Sequence, residues 1–104
     1  MKPESTPRET DALEEHVQRA AQLMAMLSSP SRLRILCRLA EGECSVGVLA
    51  ERFGLSQPTM SQQLKKLRDA GLVESRREAQ TIYYSLHGEE VTEVLGTLYK
   101  LYCS

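Results

Sequence analysis

The segment Phe53-Gly54-Leu55-Ser56-Gln57-Pro58 constrains this chain more than any other. It sets a glycine free to take left-handed backbone, one apolar residue and a helix-capping serine between two stretches of helical apolar period. Upstream, from about Ser45 to Phe53, the spacing of Val46, Leu49, Ala50 and Phe53 predicts a short helix with those side chains inward. Downstream, from about Gln57 to Ala70, Met60, Leu64 and Leu67 form the apolar stripe of a longer helix that Gly71 ends. Pro58 is tolerated because it falls in the first turn, where its missing N–H has no helical partner. A short helix, a tight glycine turn and a longer helix make a helix-turn-helix.

The period then shortens. Leu72-Val73-Glu74-Ser75-Arg76 and Thr81-Ile82-Tyr83-Tyr84-Ser85-Leu86 are β-rich and joined by the polar Arg77-Glu78-Ala79-Gln80, which predicts a two-stranded hairpin, the wing of a winged helix-turn-helix. Two helices are expected before this unit. One starts at a Thr10 cap and carries Leu13, Val17, Ala20, Met24 and Leu27. The other follows Ser28-Ser29-Pro30, buries Leu33, Leu36, Cys37, Leu39 and Ala40, and stops at Gly42. A last helix from about Gly88 carries Val91, Val94, Leu95, Leu98, Leu101 and Tyr102 on one broad side. The expected fold is therefore mainly α with a small β-hairpin, in the order four helices, hairpin, helix. Residues 1–9, with two prolines and no apolar face, read as a disordered tail, and 10–104 as one winged domain. A chain of 104 residues has room for one core.

Charge distribution says more than net charge, which is −1. Residues 56–80 balance to +2, whereas residues 1–31 and 81–104 each balance to −2. A mildly basic centre between acidic ends suits an anionic partner for the centre. On the longer helix, Gln57, Thr59, Ser61, Gln62 and Gln63 are short or amide side chains that can both donate to and accept from base edges. Lys65, Lys66 and Arg68 follow, suited to phosphates. With the capping Ser56, Lys66 and the hairpin residues Arg76, Arg77 and Gln80, these make the candidate double-stranded DNA contacts. No apolar run approaches the ~20 residues of a membrane span, and Met1 to Thr10 lacks a signal-peptide core, so a cytoplasmic protein without a membrane partner is expected. The three cysteines, Cys37, Cys44 and Cys103, are an odd number and include no Cys-x-x-Cys. With no nucleophile–base pair visible, an enzyme is not expected, and no cofactor is implied.

Residues 28 to 86, through SSPSRLRILCRL, ECSVGVLAERFGLSQPTMSQQLKKLRDAGLV and SRREAQTIYYSL, resemble the ArsR/SmtB family of bacterial transcriptional repressors. The resemblance implies a homodimer built from the first and last helices, with the longer helix in the major groove of operator DNA and the wing beside it. Many members bind metal. The positions of one such site, a Cys-Val-Cys, are Ser45-Val46-Gly47 here, and the last helix, preceded by His87, has Glu89, Glu90 and Glu93 but no histidine. Neither supplies converging donors, so no metal site is expected, and a metal-responsive repressor with a non-standard site is the alternative. SRLRILCRL, TLYKLYCS and REAQTIYY are similar to the sulfide- and persulfide-responsive branch of the family. That similarity implies that Cys37 and Cys103 form a reactive dithiol that reactive sulfur species or an oxidant join, lowering DNA affinity. Cys44 is left without a partner.

Overall fold

The computed structural model describes residues 12–103. The expected tail at residues 1–9, the Thr10 cap and Ser104 lie outside them. In chain order the elements are α1 (Val17–Leu27), α2 (Pro30–Leu39), β1 (Cys44–Ser45), α3 (Val46–Phe53), α4 (Gln57–Asp69), β2 (Val73–Glu78), β3 (Thr81–Leu86) and α5 (Glu89–Cys103). Among the described residues, no helix is long and apolar enough to cross a membrane.

Serine starts three of the helices. Ser29 accepts the Arg32 N–H at 3.3 Å, Ser45 the Val48 N–H at 3.2 Å and Ser56 the Thr59 N–H at 3.2 Å. Each such bond satisfies an amide that has no partner inside its own helix, and is typically worth ~1 kcal/mol. At the bend between α3 and α4, Gly54 adopts φ 68° and ψ 31°. The Leu55 N–H reaches back to the Ala50 carbonyl at 2.9 Å and the Gly54 N–H to Glu51 at 3.3 Å, closing the helix end as left-handed glycines do. A Cβ on Gly54 meets no neighbour within 4 Å, so an alanine there meets backbone strain alone. Gly54→Ala is expected to cost at least ~1 kcal/mol, seen as a lower urea midpoint at unchanged slope. An unchanged midpoint contradicts this reading of the turn.

Ile35, Leu36 and Leu39 of α2, Leu49 of α3, Met60, Leu64 and Leu67 of α4, Val73 and Tyr84 of the sheet and Val91 of α5 form one core. All three stripe residues of α4 are fully buried, so the helix is gripped along its inner face and its outer face is left to solvent. The inward residues expected on α3 and α4 are the ones that pack.

Four expectations are corrected. First, β1 adds a third strand: the sheet order is β1-β3-β2, with Cys44 opposite Tyr84 and Ser45 opposite Tyr83. Two residues carry no readable period, which is why the sequence showed only a hairpin. Second, the strands run on to the pairs Arg77–Ile82 and Glu78–Thr81, leaving a turn of just Ala79 and Gln80. A ladder open to water tolerates charged residues, so Arg77 and Glu78 read as loop by composition yet pair as strand. Third, on α2 the buried side is Ile35, Leu36 and Leu39, whereas Cys37 and Ala40 are exposed; the helix is rotated so that Ile35 takes the inward place. Fourth, the first helix is interrupted. Residues 12–14 are helical, residues 15–16 form a turn, and His16, at φ −117° and ψ 8°, precedes α1 without a side-chain cap.

Candidate functional site

The N-terminal half of α4 stands beside the wing. Gln57, Thr59, Ser61, Gln62 and Lys66 are exposed and Gln63 is half-buried. Ser56 faces this surface but is engaged: besides capping, its hydroxyl donates to the Thr59 Oγ1 at 2.9 Å. The Thr59 hydroxyl proton remains available to an acceptor outside the chain. Lys65 pairs with Asp69 at 3.0 Å, one turn along the helix.

A groove of about 500 Å³ runs between α3, the start of α4 and the tip of the wing, lined among others by Gly47, Gln57, Ser61, Gln80 and Thr81. It brings together Gln57, Ser61 and Gln80, which are separated by up to two elements in sequence. Gly47 leaves room here: a Cβ there would lie 3.3 Å from the Gln57 Nε2, and the amide would have to give by a few tenths of an ångström. In the sequence Gly47 drew notice only as the place of an absent metal ligand. Its role as space for a glutamine amide needs the tertiary contact to be seen.

The two wing arginines differ. Register places Arg77 opposite Ile82 and hence on the face of Ile82 and Tyr84 that turns toward the core and the groove. Arg76, opposite Tyr83, lies on the other face, its guanidinium 4.6 Å from the Tyr83 ring centroid. There it donates from Nε and Nη2 to both carboxylate oxygens of Glu43 at 2.8 and 2.9 Å, and from Nη1 to Glu78 at 3.1 Å. The hydrogen bonds from Arg76 hold the Glu43 carboxyl below the usual carboxylate range. Glu43 precedes β1, and the undetected third strand is what carries it to the wing.

The thiols fall into two groups. Cys44 is buried opposite Tyr84, while Cys37 and Cys103 are exposed; all three are free. Packing around Cys37 removes enough water to push its thiol above the ordinary range, and the negative charges of Cys103 and Glu41 raise it further. Cys103 thus bears on the Cys37 thiol although the two residues belong to different helices, α5 and α2, and are far apart in sequence. Arg34 and Arg38 line the same 440 Å³ cavity as Cys37, yet the charges that act on the thiol are the two acidic ones.

The end helices are tied by an Arg19–Glu90 bridge at 2.6 Å. His16, Glu90 and Glu93 line the groove between them, but among the described residues no group of three His, Cys, Asp or Glu side chains converges to hold a metal. Tyr102 and Leu101 of α5 are 81% and 69% exposed, and Met24 of α1 58%.

A three-stranded winged helix-turn-helix with a polar recognition-type helix defines the class, and the chain belongs to the arsR family of bacterial regulatory proteins, whose model matches residues 29–75. It is by family a DNA-binding transcriptional regulator. It is 39% identical to the biofilm growth-associated repressor of Xylella fastidiosa, over 100% of this chain and 92% of that one. The structure of reduced HlyU from Vibrio cholerae superposes with a TM-score of 0.83 at 42% identity, over 89% of this chain and 98% of the other. The homodimeric winged helix-turn-helix DNA-binding domain of Mb0332 from Mycobacterium bovis gives 0.74 at 31% identity, over 96% and 89%.

Proposed function

We propose that this chain is a homodimeric, operator-binding repressor whose grip on DNA is released when Cys37 and Cys103 are joined. In this reading residues 10–104 form the DNA-binding and dimerising unit. Ser56, Gln57, Thr59, Ser61, Gln62 and Gln63 of α4 enter the major groove, Lys66 meets phosphate, and Arg76, Arg77 and Gln80 of the wing lie alongside. Dimerisation through α1 and α5 accounts for the exposed Met24, Leu101 and Tyr102, side chains that a second copy can cover. The likeness to a homodimeric domain and to a named repressor supports the dimer and the repressor role.

The sensing half is carried by one observation: Cys37 on α2 and Cys103 at the end of α5 are the two exposed thiols among the described residues. The chemistry is a two-electron oxidation. One thiolate attacks the sulfane sulfur of a persulfide or polysulfide and expels a thiolate. The second thiolate attacks the sulfur-bearing cysteine, expels hydrosulfide and leaves a disulfide; if a further sulfur is taken up first, a polysulfide bridge remains. The bridge ties the end of α5 to the exposed side of α2, whose opposite side, Ile35, Leu36 and Leu39, is part of the core that also holds α4. Such a cross-link carries a few kcal/mol, and each tenfold loss of operator affinity needs ~1.4 kcal/mol of difference between states. The relative HlyU has been solved in its reduced form.

The test is fluorescence anisotropy on a duplex before and after treatment with a polysulfide, followed by dithiothreitol. Loss of binding on treatment and its recovery on reduction support the switch. Binding that ignores the treatment, or that responds equally to zinc, copper(I) or arsenite, contradicts it.

The raised Cys37 pKa adds a pH signature. Because the thiolate is the nucleophile, iodoacetamide labelling of Cys37, followed by peptide mass mapping, is expected to speed up with pH through the ordinary thiol range without levelling. A plateau below that range contradicts the placement of Cys37.

A further inference from the structure

The wing carries a charge arrangement that works against its own partner. Arg76 is the only cation in a cluster with Glu43 and Glu78, and it gives three of its five N–H donors to them at 2.8, 2.9 and 3.1 Å. One guanidinium between two carboxylates leaves the cluster at −1. Its Arg76 and Glu43 side chains are about half and one-third exposed, so water and a ligand reach both. The fork that Glu43 fills is the one that a phosphate oxygen pair fills, since carboxylate and phosphate take the same bidentate geometry.

We infer that Glu43 is an intramolecular competitor for the phosphate backbone, a residue that lowers the wing's affinity for DNA of any sequence by occupying Arg76. This rests on the DNA-binding reading of the wing given above. Phosphates are met by every duplex, matched or not. A carboxylate that takes a guanidinium away from phosphate therefore weakens sequence-independent binding, and leaves discrimination to the base-edge contacts of α4. Placement supports the role. Glu43 lies outside the wing, in the link between α2 and β1, and reaches Arg76 across the sheet only because β1 pairs with β3. Tyr83 beneath the guanidinium gives Arg76 a flat support that does not depend on Glu43. Since Arg76 holds the Glu43 carboxyl below its usual range, the competitor stays charged at neutral pH and gives way only in acid, as the pH falls through that lowered value.

The experiment compares reduced wild type, Glu43→Gln, Arg76→Ala and the double variant on a random-sequence duplex over a salt series. Glu43→Gln keeps shape and an acceptor but removes the charge. It is expected to bind about threefold more tightly per wing at low salt, with a salt slope steeper by about 0.9 per wing and so about 1.8 for the dimer, the signature of one more phosphate contact on each wing. In the Arg76→Ala background the slope increment is absent, because there is no guanidinium to release. Glu43→Gln that binds no tighter, or less tightly, makes Glu43 a support that orients Arg76 and overturns the inference. So does a slope increment that survives without Arg76, which is a bulk charge effect. A second readout needs no variant. In nitrogen-labelled wild type, the Arg76 Nε–H resonance should move when duplex is added, and a resonance that stays fixed overturns the inference too. If wild type ignores duplex DNA at every salt concentration, the reading of the whole site falls and this inference with it. If wild type binds and only the expected gain is missing, the inference falls alone.

Discussion

Cys37→Ser and Cys103→Ser are each expected to hold duplex DNA as tightly as the reduced wild type, and to keep holding it after a polysulfide treatment that weakens wild-type binding at least about tenfold, within the usual range of coupling between two sites. The reason is stoichiometric. A bridge needs both sulfurs, and a serine oxygen cannot take part in thiol exchange. Cys44→Ser should behave differently. That thiol is buried opposite Tyr84, so a hydroxyl there is desolvated and costs roughly 1–3 kcal/mol of stability. Its protein should melt earlier and still respond to polysulfide. Anisotropy with each variant, alongside thermal melts, separates the cases. Single variants of Cys37 and Cys103 that respond as wild type does contradict the dithiol.

The second large effect lies within one helix. Leu64 and Gln62 sit two residues apart on α4, the first fully buried and the second exposed. Leu64→Ala is expected to cost about 2–5 kcal/mol, the transfer term plus the cavity left in the core. In a domain of this size that is a large share of a total of roughly 5–15 kcal/mol, and it should shift the urea midpoint far down. Gln62→Ala should leave the midpoint within about 0.5 kcal/mol and weaken operator binding, by about 1–3 kcal/mol if the amide pairs bidentately with a base. The opposite result, a stable Leu64→Ala or an unfolded Gln62→Ala, inverts the faces of α4.

The inner face of α4 was legible in the sequence because a 3.6-residue period leaves Met60, Leu64 and Leu67 on one side. The turn was legible because Gly54 and Ser56 each satisfy a local geometric demand. What escaped reading depends on contacts distant in sequence. β1 is two residues long and is defined only by its pairing with β3. The inward turn of Ile35 in place of Cys37 is decided by what α2 packs against, since either rotation satisfies the local pattern. Arg76 and Arg77 are equivalent by composition. Register alone separates the one clamped by Glu43 from the one on the groove side. The approach of Gln57 to Gly47 is of the same kind. For the thiols, the pairing of Cys37 with Cys103 came from resemblance to a family, and the acidic rather than basic setting of Cys37 became visible only with its neighbours in place.

The central claim is that the exposed face of α4, with the wing, is the surface that meets DNA. Titrating nitrogen-labelled reduced protein with duplex and following backbone amides tests it most directly. The largest shifts are expected on residues 56–66 and 76–81, with the amides of α1 and α5 moving little. Shifts centred on α1 or α5, or none at any duplex concentration, contradict it.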